Sequence, residues 1–149
     1  MIDARGIAAL IPHAGQMCLL DTVTGWDADA IQCATSSHQD LANPLRSEDR
    51  LSVVHALELA AQAVAVHIAL LAPPRGNAAR AARAGYLGGV RDVAFFVDRL
   101  DDITEPLDIE ARRLFSSGAG SVYGVAVAAA GRPVAAGRLT VVAAAGGER

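Results

Sequence analysis

Apolar and polar positions along this 149-residue chain follow three different rhythms. From 51 to 72 the residues are almost continuously apolar, interrupted only by Ser52, His55, Glu58, Gln62 and His67. A run of that length exceeds a strand, and Ala and Leu dominate it, so the pattern predicts one helix of about six turns. Ser52 supplies a cap at its start, and Pro73-Pro74 followed by Gly76 stops it after Leu71. Ahead of it, residues 17–26 and 31–35 are β-prone and flank the turn-forming segment 27–29, which reads as a hairpin. The aperiodic stretch 38–50 then leads to the helix as a loop. Beyond the helix, 86–97 is rich in Val and Phe, and 107–112 alternates apolar and charged residues with the period of two of a half-buried strand. Gly118 and Gly120 punctuate a hairpin, and 122–129 and 134–142 flank a turn at Gly131-Arg132-Pro133. Residues 77–85, rich in Ala and Arg, stay unassigned, and 143–149 is expected to fray.

The order is strand, strand, long helix, then four strands, with no internal repeat and no low-complexity linker. One α+β domain over 1–149 follows. A helix that is apolar nearly all round must be covered nearly all round. A curved antiparallel sheet of about six strands wrapped about it, helped by a partner subunit, does so. That geometry is the hot-dog fold.

Composition narrows the picture. The chain is 52% hydrophobic but only 4% aromatic, so its core is built from small side chains that let helix and sheet approach closely. Every basic residue is Arg and the formal net charge is −3, which argues against nucleic acid as a partner. Cys18 and Cys33 form no CxxC pair and have no His at zinc-ligand spacing, so both are expected to be reduced core residues. Asp3 and Arg5 precede a short apolar stretch that Pro12 ends, which is not a signal-peptide layout, and a cytoplasmic address is expected. Glu58 in the middle of the long apolar run would cost on the order of several kcal/mol in a bilayer, so no membrane insertion is expected.

At about 100° per residue, Ser52, His55, Glu58 and Gln62 fall within roughly 120° of one another, while His67 points well away. A carboxyl group in such a stripe, buried beside an imidazole, would have a raised pKa and suit general acid–base chemistry. The plain alternative is that the stripe faces solvent or a subunit interface. His55 and Glu58 lack a third ligand at metal spacing, so no metal is expected. No P-loop, dinucleotide glycine fingerprint or GxSxG elbow occurs.

Four segments carry a family resemblance. Ile11-Pro12-His13-Ala14-Gly15-Gln16-Met17-Cys18-Leu19-Leu20-Asp21 resembles the opening "LPHxxPMLLLD" of FabZ-like hot-dog 3-hydroxyacyl-acyl-carrier-protein dehydratases and their relatives in aryl-polyene-type pathways. Glu58-Leu59-Ala60-Ala61-Gln62 is similar to the family's "E-x-x-AQ" on the central helix. The stretch 85–91, Gly-Tyr-Leu-Gly-Gly-Val-Arg, is similar to "GYLxGxR", and 135–139, Ala-Ala-Gly-Arg-Leu, to the closing "A-x-GRL". Together they span about residues 11 to 142 in the family's order.

The resemblance implies that Glu58 protonates the leaving hydroxyl and that Gln62 orients it. The helix start at Ser52, Val53 and Val54 would offer backbone N–H groups to the thioester oxygen, and Gly88 and Gly89 would join the substrate-binding residues. A His would remove the α proton, yielding a trans-2-enoyl thioester and water. No metal or redox cofactor is implied, because the phosphopantetheine arrives on the carrier protein. The family's base stands in a "GHFPxxP" loop, where this chain reads Asn43-Pro44-Leu45-Arg46. The base is then His13 or His55, with His13 preferred, and His38 and His67 receive no catalytic role. The missing loop His keeps two alternatives open: a catalytically impaired structural subunit of a heteromeric dehydratase, and a hot-dog acyl thioesterase. Arg75, Arg80 and Arg83, in a stretch without acidic residues between Glu58 and Asp92, are the expected contacts for an acidic carrier protein. The partner subunit is expected to be a second hot-dog chain, identical or not.

Overall fold

The computed structural model describes residues 1–11, 18–72 and 86–142. Within them the chain forms β1 (Ile2–Asp3), α1 (Ala4–Leu10), β2 (Thr22–Trp26) and β3 (Ala30–Thr35). A 3-10 turn at Val53–His55 leads into α2 (Ala56–Leu71), and β4 (Tyr86–Phe95), β5 (Leu107–Ser117), β6 (Gly120–Ala129) and β7 (Arg132–Val142) come after it. All seven strands join one antiparallel sheet in the order β1-β2-β3-β5-β6-β7-β4, which puts β1 and β4 at its edges.

The alternation read at 107–112 is the alternation observed. Leu107, Ile109 and Ala111 are buried against α2, while Asp108, Glu110 and Arg112 face outward. β6 repeats it with Tyr123, Val125, Val127 and Ala129 inward. On α2 the facing residues include Ala56, Ala60 and Ala63, none of them with exposed surface, so the helix axis lies close to the sheet. Each Leu, Ile or Val fully buried in this layer contributes about 1.5–3 kcal/mol by its removal from water. The segment Val53–Leu71 has the length and hydropathy of a membrane span, yet 56% of that window is buried inside the chain's own fold, as befits a core helix.

The start of α2 is pinned to the β4–β5 connection. Val53 N–H donates to the Asp98 carbonyl, Leu100 N–H to the Leu51 carbonyl, and Leu51 N–H to the Asp101 carboxylate, which also holds Arg99. The Asp101 carboxyl is held well below the usual carboxylate range, mainly by the Arg99 guanidinium. At its other end α2 is tied by His67. Its Nε2–H donates to the Asp27 carbonyl at 2.7 Å, which leaves Nδ1 to accept from the Tyr123 hydroxyl at 2.6 Å. The turn beneath is closed by Asp27, whose carboxylate accepts the N–H groups of Asp29 and Ala30.

Three features differ from the sequence reading. The sheet has a seventh strand, β1, which pairs with β2, and a short helix α1 comes directly after it, capped by Asp3 accepting from Gly6 N–H. The turn between β6 and β7 lies one residue earlier than expected, at Ala130 and Gly131, both with positive φ. That is the two-residue hairpin geometry that matches strand twist. Pro133 is then inside β7, tolerated because it lies where the register slips between Val127 and Ala128. Finally, the sheet does not cover α2 all round. Leu57, Ala61, Ala65 and Ile68 are only half-buried and Glu58 is exposed, a strip along one side of the helix.

Two outcomes test this interior. Tyr123→Phe removes the donor to His67 and is expected to lower stability by about 1–3 kcal/mol in urea denaturation at neutral pH. Burial pushes the pKa of both His38 and His67 below the ordinary histidine value. The unfolded chain therefore binds protons at these sites, near pH 6.5, that the folded chain refuses. Their contribution is complete above that pH and is lost as the pH falls below it. The urea midpoint should hold level from pH 8 to 7 and decline from 6.5 toward 5; a midpoint that rises over that interval would show the imidazoles charged in the folded state.

Candidate active site

Glu58 lies in the first turn of α2 on the uncovered strip, where its neighbours Leu57, Ala61 and Ala65 are apolar. It is the only charged residue on that strip. Gln62, one turn further, is buried and points between the helix and the segment before β2. Its Oε1 accepts the Leu19 backbone N–H at 2.8 Å, and this fixes the amide's polarity, so that Nε2 turns to the Glu58 carboxylate at 3.5 Å. Leu19 needs this partner because residues 18–20 are not in the sheet; its carbonyl accepts in turn from the Thr35 hydroxyl at 2.6 Å.

The stripe computed from helical spacing is thus a shared face, but it is not a buried one. Ser52 and Glu58 are exposed, His55 is half-buried, and only Gln62 lies inside. Nor does the helix start present free donors. Val53 N–H is taken by the Asp98 carbonyl, Val54 N–H by the Ser52 hydroxyl at 3.3 Å, and His55 N–H by the Ser52 carbonyl. Of the three residues expected to turn backbone N–H groups toward a thioester oxygen, Val53 and Val54 thus have theirs bonded within the chain. Among the described residues His55 makes no hydrogen bond to Glu58.

Gly88 and Gly89 sit on the edge strand β4. A Cβ at Gly88 would come within 2.5 Å of Val142 Cγ2, so close contact with β7 accounts for this glycine. At Gly89 a Cβ would meet nothing within 4 Å. His13 and Arg75, Arg80 and Arg83 lie outside the described residues.

The other histidines are turned inward. His38 Nε2 donates to the carbonyls of Ile103 and Glu105, and His67 is saturated as described. Asn43, at the head of the loop segment where the resemblance expects a His, is buried. Its Nδ2 donates to Ser37 O and its Oδ1 accepts from Leu45 N–H. Beside Leu19 a cleft of about 390 Å³ opens between Cys18, Asp21, Ser36, Asp40 and Pro44; its two carboxylates make it a poor seat for an anion. Burial pushes the Cys18 thiol up, and the Cys33 thiol up to about 12, so neither is an activated nucleophile. No group of three His, Cys, Asp or Glu side chains among the described residues is placed to hold a metal ion.

The family model for ApeP-like proteins, described as ApeP dehydratase, matches residues 5–148. No curated protein sequence matches the chain. Among solved structures, a chain of the dehydratase heterocomplex ApeI:P from Xenorhabdus doucetiae superposes with a TM-score of 0.76 at 22% identity, over 92% of this chain and 90% of that one. A protein described as a thioesterase from a Silicibacter species gives 0.67 at 15% identity, over 96% and 92%. A thioesterase from Pseudomonas aeruginosa gives 0.65 at 12% identity, over 95% and 94%. At these identities the likeness is one of fold, and the fold is the hot-dog.

Proposed function

Because the chain belongs to the ApeP-like dehydratase family, we propose that it removes water from a 3-hydroxyacyl thioester carried on acyl carrier protein, forming the trans-2-enoyl thioester. The observation that carries this reading is the placement of Glu58: a carboxylate held by a buried amide, alone in an apolar strip that its own sheet leaves uncovered. A second hot-dog subunit laid over that strip would shut water out around the carboxyl group, the setting in which a carboxylic acid can hand a proton to a bound substrate. The edge strand β4 supports such a partner, since Leu87 and Val90 are exposed on it and a long apolar edge calls for cover.

In the proposed reaction an imidazole takes the proton at C2, the electron pair forms the C2–C3 double bond, and the C3 hydroxyl leaves with the proton of Glu58 as water. The base is His13 or His55, of this chain or of the facing one. The positive end of α2 stabilises the enolate charge on the thioester oxygen. The reaction calls on no metal or redox cofactor, and phosphopantetheine comes with the substrate. Gln62 keeps the carboxyl group turned toward the strip, and the arginines 75, 80 and 83 remain the proposed contacts for the acidic carrier.

One observation favours a second reading, in which the chain is the structural partner of a different, active hot-dog subunit. The loop carries buried Asn43, hydrogen-bonded at both ends of its amide, where the resemblance expects a base, and the loop's own His38 is committed to the core. The assembly from X. doucetiae is by its description a dehydratase heterocomplex.

Turnover of a 3-hydroxyacyl-carrier protein, followed by enoyl absorbance and by mass, separates the readings. Glu58→Gln is expected to lower turnover about 100-fold or more without loss of stability, because the side chain is exposed in the protomer. Gln62→Leu should lower turnover as well, and lower stability by about 1–3 kcal/mol, because Leu19 N–H loses its acceptor. Activity that needs a second subunit and is indifferent to Glu58→Gln would establish the structural role. Release of free acid would make the chain a thioesterase.

A further inference from the structure

The polar side chains buried among the described residues are Thr35, His38, Asn43, Gln62 and His67. Two of them, from different elements, converge on the backbone of one residue, Leu19. Gln62 reaches it from α2 and takes its N–H, and Thr35 reaches it from the end of β3 and donates to its carbonyl. Leu19 needs both, because the pairing of its segment with β3 begins only at Asp21, whose N–H donates to the Ala34 carbonyl.

Thr35 stands in the inward row of β3 after Ile31 and Cys33, where Val would serve the packing equally well. A buried hydroxyl is costly unless it is bonded, so this one answers to its partners. Those partners fix its polarity. The Leu19 carbonyl can only accept, and at 2.6 Å it takes the single hydroxyl proton of Thr35. The Thr35 oxygen then accepts from Ser37, from its N–H at 3.0 Å and from its hydroxyl at 2.9 Å. On the other side of Leu19, the N–H donates to Gln62 Oε1 and Gln62 Nε2 donates to Glu58. Leu19 is thus held between a hydroxyl rooted in the sheet and an amide rooted in the helix, and a shift on one side moves the other. A Leu19 N–H out of place withdraws the bond that sets the acceptor end of Gln62 away from Glu58 and the donor end toward it.

We propose that Thr35 is a positioning residue for the proton donor: it fixes Leu19, Leu19 fixes Gln62, and Gln62 aims Glu58. The role rests on the reaction proposed above, with Glu58 as its acid.

Thr35→Val and Thr35→Ser, made in the assembly that turns over 3-hydroxyacyl-carrier protein, test this role by two readouts. One is hydrogen exchange of the Leu19 amide, which is independent of turnover. Thr35→Val, which keeps the branched shape and loses the hydroxyl, is expected to speed exchange about 10-fold or more, and Thr35→Ser, which keeps the hydroxyl, to restore the slow rate. The other is the split of kcat from KM. Thr35→Val should lower kcat about 10-fold or more with KM within about 2-fold, because the acid is misaligned while substrate binding is kept, and Thr35→Ser should recover kcat. Where Thr35→Val does not fold, Thr35→Cys, whose thiol is a weak donor, takes its place with the same direction on both readouts. Tyr123→Phe, which removes a buried hydroxyl near the other end of α2, is expected to lose stability at unchanged kcat, and so separates aim from stability. Unchanged Leu19 exchange or unchanged kcat in Thr35→Val, in an enzyme that Glu58→Gln disables, overturns this role and leaves the proposed reaction standing. A kcat loss that Thr35→Ser fails to recover, or that Tyr123→Phe shares, overturns it as well. Turnover indifferent to Glu58→Gln, or absent from every assembly, removes the proposed reaction and this role with it.

Discussion

A helix presents side chains around its whole circumference, whereas a single sheet can press against only part of it. In this protein that mismatch governs both the packing of the core and the setting of Glu58. The sheet takes the face made by Ala56, Leu59, Ala60, Ala63 and His67, and small side chains there let it come close. The opposite strip, Leu57, Ala61, Ala65 and Ile68, stays partly exposed, with Glu58 among these apolar groups. An apolar strip of that length is unfavourable in water, and a carboxylate within it is comfortable only while water reaches it. Covering the strip with another subunit removes the first cost and changes the chemistry of Glu58 in the same step. Association and acid catalysis are in this sense one physical event in the proposed reaction.

The legible parts of the sequence were those whose signal is local. Ser52 as cap, the end of α2 at Leu71 and the Asp27–Asp29 turn each depend on near neighbours in the chain, and each is where the pattern put it. Alternation at 107–112 reported a sheet with one dry face. The parts that escaped are those in which a residue is used against its habit. Ala130 sits at positive φ, a position whose usual occupants are Gly, Asn and Asp, so the nearby Gly-Arg-Pro drew the turn one residue late. The helix α1 has seven residues with a glycine inside, too short for a period to show, although Asp3 was a cap signal.

At the site the limit was different in kind. Helical spacing tells which residues share a face, but not whether that face is inside or outside. Glu58 and Gln62 are only about 40° apart around the helix, yet one is exposed and the other buried, because the boundary of the sheet's cover runs between them. No angular argument can locate that boundary, since it is set by where residues 18–20 cross the helix. The same holds for Val53 and Val54, whose N–H groups looked free in sequence but are claimed by the Asp98 carbonyl and the Ser52 hydroxyl.

The four segments on which the family resemblance rests prove to be two touching pairs, and this assigns them work. The segment ending at Asp21 meets the helix segment Glu58 to Gln62 through the hydrogen bond from Leu19 N–H to Gln62 Oε1. An amide has one acceptor end and one donor end, so this bond dictates that the donor end faces Glu58; a carboxylate in place of the amide would repel Glu58, and a hydrocarbon would leave the N–H bare. The other two segments meet along β4 and β7, where Val90 pairs with Leu139, Arg91 with Arg138, and Gly137 leaves room for Val93. That second pair fixes the bulged edge strand, with Asp92 at positive φ between two registers. One pair of segments therefore aims the carboxyl group and the other shapes the sheet edge beside which the proposed partner would sit. A sequence that kept only one pair would lose either the orientation of Glu58 or the shape of that sheet edge.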